Sequence, residues 1–211
     1  MNHKQQQTTQ QIQIPELPMK KICLLRLSAL GDVVLVVPLV NALIRSYPNI
    51  EITWVTTQST LDLIGPMNQV KWIIVKKPKS IRAIIANRKL LKDLKFEILL
   101  VLQASFSAHI ACMQINAKRK IGFDRQRGKD FHHLFTNESI NYENQHFVDA
   151  YLSFGKKVGA SDTRVSWSGA FTKADERWVK QILDKEKRCI AIVTSPSKAE
   201  RRWTLKSYKK T

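Results

Sequence analysis

The sequence predicts an α/β protein: a Rossmann-like, doubly wound parallel sheet followed by the beginning of a second unit of the same kind. Three observations carry this. Apolar runs of six or seven residues recur along the chain. They alternate with amphipathic stretches of helical length, and Pro, Gly and Asn punctuate the junctions. Strands that are nearly all apolar are buried on both faces, which is the condition of a parallel sheet covered by helices.

Taken in order, Ile22–Leu27 reads as the first strand and Val33–Tyr47 as the helix after it. Pro38 inside that helix either kinks it or sits in the first turn of a helix that starts late. Tyr47-Pro48-Asn49 is a stop, and Ile50–Val55 is the second strand. A short helix over Thr60–Ile64 ends at Gly65-Pro66, and Val70–Val75 is the third strand. The basic run KKPK from Lys76 leads into an amphipathic helix over Ser80–Leu94. Phe96–Leu102 is apolar enough to be a central strand, and Gln103–Ser107 turns into a helix carrying His109 and Cys112. Lys118–Phe123 is the fifth strand, Asp124–Tyr142 is mostly loop, and His146–Val158 is helical. From Gly159 to Gly169 the pattern becomes polar and turn-rich; a helix over Lys173–Asp184 and a strand over Cys189–Val193 follow. The expected division is therefore a flexible leader over 1–19, a Rossmann-like domain over 20–165, and a linker with the incomplete start of a second domain over 166–211.

Composition narrows the function. The chain has 211 residues, 44% of them hydrophobic, so one good core is within reach. A formal net charge of +18 calls for an anionic partner: nucleic acid, a phosphorylated molecule or an anionic membrane face. The Gln-rich beginning lacks the apolar core of a signal peptide, and the run after Asp32 is too short and interrupted to span a bilayer. Cys23, Cys112 and Cys189 are widely spaced in apolar surroundings and read as buried reduced thiols; no metal site is expected. There is no G-x-G-x-x-G, P-loop, helix-turn-helix, zinc-finger, RRM or KH pattern. A basic nucleic-acid-binding protein is thus the weakest reading of the charge.

Chemistry concentrates in the turn Ser28-Ala29-Leu30-Gly31-Asp32. An acid in the first turn of a helix caps it and complements its positive end; that is the structural reading of Asp32. In the functional reading, Gly31 lets a ligand approach the backbone and Asp32 takes a proton from an attacking hydroxyl. Gln103 lies at the carboxyl end of the fourth strand, on the edge where α/β ligands bind. Basic residues cluster after the third strand (Lys76, Lys77, Lys79, Arg82, Arg88) and around the GFDR turn (Lys118, Arg119, Lys120, Arg125, Arg127).

The segment KICLLRLSALGDVVLVVPLVNALIRSYPNIEITWV resembles the amino-terminal signature of the lipopolysaccharide heptosyltransferases, especially those adding the first heptose to Kdo-lipid A. LVLQASFSAHIAC, AKRKIGFDRQRGKDFHHLFTNE, QHFVDAYLSFGKKVG and RRWTLKSY extend the resemblance over nearly all that follows the leader. It implies a GT-B fold, with the acceptor on the first Rossmann-like domain and ADP-heptose on the second. It implies Asp32 as general base of an inverting transfer, with Ser28 and Gly31 shaping its turn. Lys76, Lys79, Arg82, Gln103, Arg119 and Arg125 become acceptor-side candidates. Ser195, Ser197 and Arg201 become donor-side candidates, although Ser195-Pro196-Ser197 and Arg201 stand where relatives commonly carry paired threonines and a lysine. No metal is implied. The expected partners are ADP-heptose, Kdo-lipid A and the anionic cytoplasmic face of the inner membrane, without nucleic acid. Because the family's second domain continues further, an inactive acceptor-binding or regulatory module is the alternative.

Overall fold

The computed structural model describes residues 21–169, 173–183, 189–190, 203–204 and 207. The leader and the donor-side candidates Ser195, Ser197 and Arg201 lie outside them. The chain divides into a unit over Met1–Phe171 and another over Thr172–Thr211.

The first unit alternates as predicted. Strand β1 (Lys21–Leu25) is followed by α1 (Leu30–Val34) and α2 (Val37–Ser46), then β2 (Glu51–Thr56) and α3 (Gln58–Ile64). Next come β3 (Val70–Ile74), α4 (Ile81–Leu91), β4 (Lys95–Val101), α5 (Phe106–Met113) and β5 (Asn116–Gly122). A 3-10 turn at His132–Leu134, a two-residue strand β6 (Glu138–Ser139) and α6 (Phe147–Lys157) complete it. All six strands are parallel, in the order β3-β2-β1-β4-β5-β6. β1 and β4 are central, so their runs Ile22–Leu25 and Ile98–Val101 are buried on both faces.

Alternate strand residues serve two cores. Ile22, Leu24, Ile98 and Leu100 pack with Leu39, Leu43, Tyr151 and Phe154 of α2 and α6. Cys23, Leu25, Leu99 and Val101 pack on the other face with Leu91, Ala111 and Cys112 of α4 and α5. The register β2–β3 places Trp54 opposite Trp72, and the two indoles stack with centroids 5.0 Å apart. Burial raises the Cys112 thiol to about 11 and pushes Cys23 up as well, so both are inert thiols. Cys189 departs from the expectation: it is exposed.

Two other expectations change. The single helix over Val33–Tyr47 is two helices, because Pro38 lies in the first turn of α2, where a missing N–H costs nothing. The loop Asp124–Tyr142 contains β6, too short at two residues to show a period. The segment after α6 folds back along α2. Arg45 Nε donates to Asp162 at 2.9 Å, and Asn41 Nδ2 donates to the Ser166 and Ser168 carbonyls at 2.8 and 2.9 Å.

In the second unit, α7 (Lys173–Ile182) is exposed throughout and begins with Asp175 and Glu176, which complement its positive end. Cys189 and Ile190 carry no regular structure, and the rest of the expected strand lies outside the described residues.

Candidate acceptor site

β1 leads to β2 on one side of the sheet, whereas β4 leads to β5 on the other. The carboxyl ends of β1 and β4 therefore flank the switch point at which doubly wound sheets bind ligands. A crevice of about 500 Å³ opens there. The turn after β1 contributes Arg26, Ser28, Ala29 and Asp32, and the turn after β4 contributes Gln103 to Ser105. The loop after β5 adds Phe123, Gln126, Arg127 and Lys129, and α6 adds its first residue, Phe147. Another depression of about 500 Å³ lies at the amino ends of β2 and β3, away from the switch point.

Asp32 does not cap α1: the cap is Ala29, with no side-chain bond to the helix. Instead its Oδ2 lies 2.5 Å from Arg26 Nη2. The Arg26 side chain is 8% exposed and that of Asp32 47%. Arg26 Nη1 also donates to the Leu102 carbonyl, and its guanidinium lies over the Tyr151 ring, 5.7 Å from the centroid. A buried guanidinium with these contacts is a fixed donor, so one Asp32 oxygen is held while the carboxylate opens to the crevice. Burial raises the Tyr151 phenol to about 12, so it stays neutral beside this pair.

The turn itself is pinned from both neighbouring strands. Thr56 Oγ1 donates to the Arg26 carbonyl at 2.6 Å, and Thr57 Oγ1 to that of Leu27 at 3.1 Å. From β4, Gln103 Oε1 accepts from the Leu27 and Ser28 amides at 2.8 and 3.1 Å. Its Nε2 donates to Ser105 Oγ at 2.8 Å and Ser28 Oγ at 3.4 Å. Gln103 thus lies in the crevice, with its amide engaged in holding the turn. A Cβ at Gly31 would meet nothing within 4 Å; the space over that turn is open.

The loop after β5 lines the crevice with the exposed Lys129 and with Arg127, which is paired. Arg127 Nε lies 2.5 Å from Asp124 Oδ2 and its Nη2 donates to the Asn141 carbonyl at 2.8 Å. Burial works against the Asp124 anion, but hydrogen bonds from Arg127 and Gln126 prevail and hold its carboxyl below the usual range. Beneath this wall, His132 Nε2 accepts from the Phe123 amide at 3.1 Å. His132 Nδ1 therefore carries the proton and donates to His109 Nε2 at 2.9 Å. Burial, then the neighbouring imidazoles, lower His132 to about 4. Neither histidine belongs to a metal cluster; among the described residues no group of three or more His, Cys, Asp and Glu is placed to hold an ion.

The structure separates the predicted cations. Arg119 makes a bidentate pair with Glu138 at 2.6 and 2.8 Å and does not line the crevice. Arg125 is exposed beside the crevice loop. Lys76 and Lys79 on the β3–α4 connection and Arg82 in the first turn of α4 are exposed, outside the crevice. Arg26 and Lys129 are residues that sequence reasoning passed over. A lone arginine between an apolar strand and its polar turn, in LLRLS, is the signal that marks Arg26.

With this geometry in place, the profile of glycosyltransferase family 9 (heptosyltransferase) matches residues 84–211, more than half of the chain. The chain belongs to that family. It is 30% identical over 190 residues to the lipopolysaccharide core heptosyltransferase OpsX of Haemophilus influenzae, covering 90% of this chain and 55% of that protein. A family 9 glycosyltransferase of Veillonella parvula superposes with a TM-score of 0.67 at 20% identity, over 90% of this chain and 58% of that one. Escherichia coli heptosyltransferase WaaC with ADP-2-deoxy-2-fluoro heptose superposes with a TM-score of 0.66 at 16% identity, over 90% and 64%. At these identities the structures establish the fold: the crevice lies in a heptosyltransferase-like, Rossmann-like domain of GT-B type. The chain spans little more than half the length of the curated relative.

Proposed function

We propose that the Met1–Phe171 unit is the acceptor-binding half of a heptosyltransferase site, in a chain whose described residues equip it to bind acceptor. The observation that carries this is the half-exposed Asp32 carboxylate, held by buried Arg26 at the mouth of a crevice on the switch point. Arg127 and Lys129 face it across the crevice and suit an anionic sugar, such as the Kdo of Kdo-lipid A. Ser28 and Gly31 shape the turn and leave room above it. Lys76, Lys79, Arg82 and Arg125 extend the cationic surface toward the lipid phosphates, which fits a protein working at the cytoplasmic face of an anionic inner membrane.

Family membership favours a second reading, in which the chain also completes the transfer. Asp32 then takes the proton of an acceptor hydroxyl, whose oxygen bonds to the anomeric carbon of the heptose. The bond from that carbon to the β-phosphate oxygen breaks, and ADP leaves with the electron pair from the opposite face, inverting the centre. Ser195, Ser197 and Arg201 are the proposed pyrophosphate contacts.

Calorimetric titration with Kdo-lipid A and an ADP-release assay with ADP-heptose separate the readings. Binding without ADP release supports the acceptor module. Acceptor-dependent release that falls by roughly 10²–10⁴ in Asp32→Asn supports transfer with Asp32 as base. Absence of any binding overturns both.

A further inference from the structure

The buried stripe of α6 outruns the core by one turn. Tyr151 and Phe154 of this helix pack against the sheet. Phe147 lies one turn before Tyr151 on the same face, yet it is 54% exposed where Tyr151 is buried. The stripe therefore ends over the crevice, which Phe147 lines. Side chains on a helix lean toward its amino end, so the ring leans away from the core into that space. Phe106 and Phe131 are also exposed, but neither lines the crevice.

The ring is held in a defined place. His146 Nδ1 caps α6 by accepting from the Val148 amide at 3.2 Å, and Gln145 Nε2 donates to Ser153 Oγ at 3.2 Å, tying the approach to the helix. The Phe147 ring lies 6.5 Å from that of Tyr151, tilted by 38°. Tyr151 in turn meets Phe123 edge-on at 6.1 Å and carries the Arg26 guanidinium over its face at 5.7 Å. Phe147 and the Arg26–Asp32 pair thus share one neighbour, Tyr151, and border the same crevice. Phe123 also lines it but is buried, so the accessible aromatic area comes from Phe147.

We propose that Phe147 is the platform on which the acceptor sugar lies. A pyranose carries hydroxyls around its rim and C–H groups on its faces. The C–H groups suit the electron-rich face of a phenyl ring, while the rim needs polar partners. Those partners surround Phe147: the Asp32 carboxylate accepts from a hydroxyl, Ser28, Ser105 and Gln126 border the same space, and Lys129 meets an anionic substituent. A free phosphate or an open-chain polyol would use the polar groups and leave the ring in water, so Phe147 selects a ring-shaped ligand. This role rests on the acceptor reading of the crevice and adds to it the residue that sets which face of the sugar is turned to Asp32.

Deacylated Kdo-lipid A, which is soluble and has no acyl chain, is titrated into the 211-residue chain by calorimetry and by proton NMR. Phe147→Ala weakens binding roughly three- to tenfold, Phe147→Leu weakens it nearly as much, and Phe147→Trp keeps it. With the parent chain, C–H resonances of one sugar ring move upfield under the ring current of the phenyl group. Phe147→Ala abolishes that displacement, which a merely structural role would not do. The leucine variant keeps most of the apolar volume and carries the test where alanine lowers the melting midpoint. Parent and leucine chains of equal affinity, with no upfield displacement in the parent, overturn the platform and leave the acceptor reading standing. Absence of binding by the parent overturns both. Weakened ADP binding in Phe147→Ala, with acceptor affinity unchanged, gives the ring to a nucleotide base and also overturns the proposal.

Discussion

The two walls of the crevice are built by different means. The turn after β1 is held by polar side chains reaching in from adjacent strands: Thr56 and Thr57 from the end of β2, Gln103 from the end of β4. The loop after β5 is held from below by an apolar-lined histidine pair and by its own Asp124–Arg127 contact. The difference is clearest at two glycines. Gly31 faces open space, whereas a Cβ at Gly122 would lie 2.3 Å from His132 Nε2 and 2.7 Å from Thr136 Cγ2. One glycine leaves room for a ligand; the other leaves room for the protein.

The largest effect is expected where that packing is tightest. Gly122→Ala cannot be relieved by moving the His132 ring without breaking its bond to the Phe123 amide. It should cost about 2–3 kcal/mol in urea unfolding, while Gly31→Ala leaves the midpoint unchanged and lowers acceptor affinity. Equal stability losses at both sites would erase the contrast between the walls.

On the other wall, Arg26→Met leaves the Leu102 carbonyl without its donor and Asp32 without its partner. A loss of about 2 kcal/mol is expected in the same measurement. Arg26→Lys keeps the charge without the fork, so it should recover only part of the stability.

The walls should also differ in acid. His132 titrates at about 4 in the folded chain against an ordinary 6.5, so the unfolded state binds more protons between these values. Stability is then full above pH 6.5 and declines toward pH 4, by roughly 2 kcal/mol. His132→Gln should flatten that slope, and a melting series across the interval would show it. A slope retained in the variant would place the titrating group elsewhere.

The smallest effect belongs to the outer cations. Lys79→Ala and Arg82→Ala remove exposed side chains and should change stability by less than about 0.5 kcal/mol. A larger change would mean that the β3–α4 connection and the first turn of α4 are held by more than the Asn87 side chain, which bonds both the amide and the carbonyl of Lys76.

The alternation of strands and helices, the parallel sheet and the place of Asp32 were readable from the chain, because they depend on local pattern. A run such as Ile22–Leu27 can be satisfied only between two covering layers, and a polar turn at its end can lie only on the sheet's carboxyl edge. Tertiary structure decided which charges meet. In sequence Arg119, Arg125 and Arg127 look alike, yet the pairing of β5 with β6 sets Glu138 against Arg119, and only Arg127 of the three lines the crevice. Likewise the sequence offers Asp32 both as a helix-end acid and as a base, and only the fold shows Arg26 beneath it. A backbone period is a property of neighbours along the chain, and an ion pair is a property of neighbours in space.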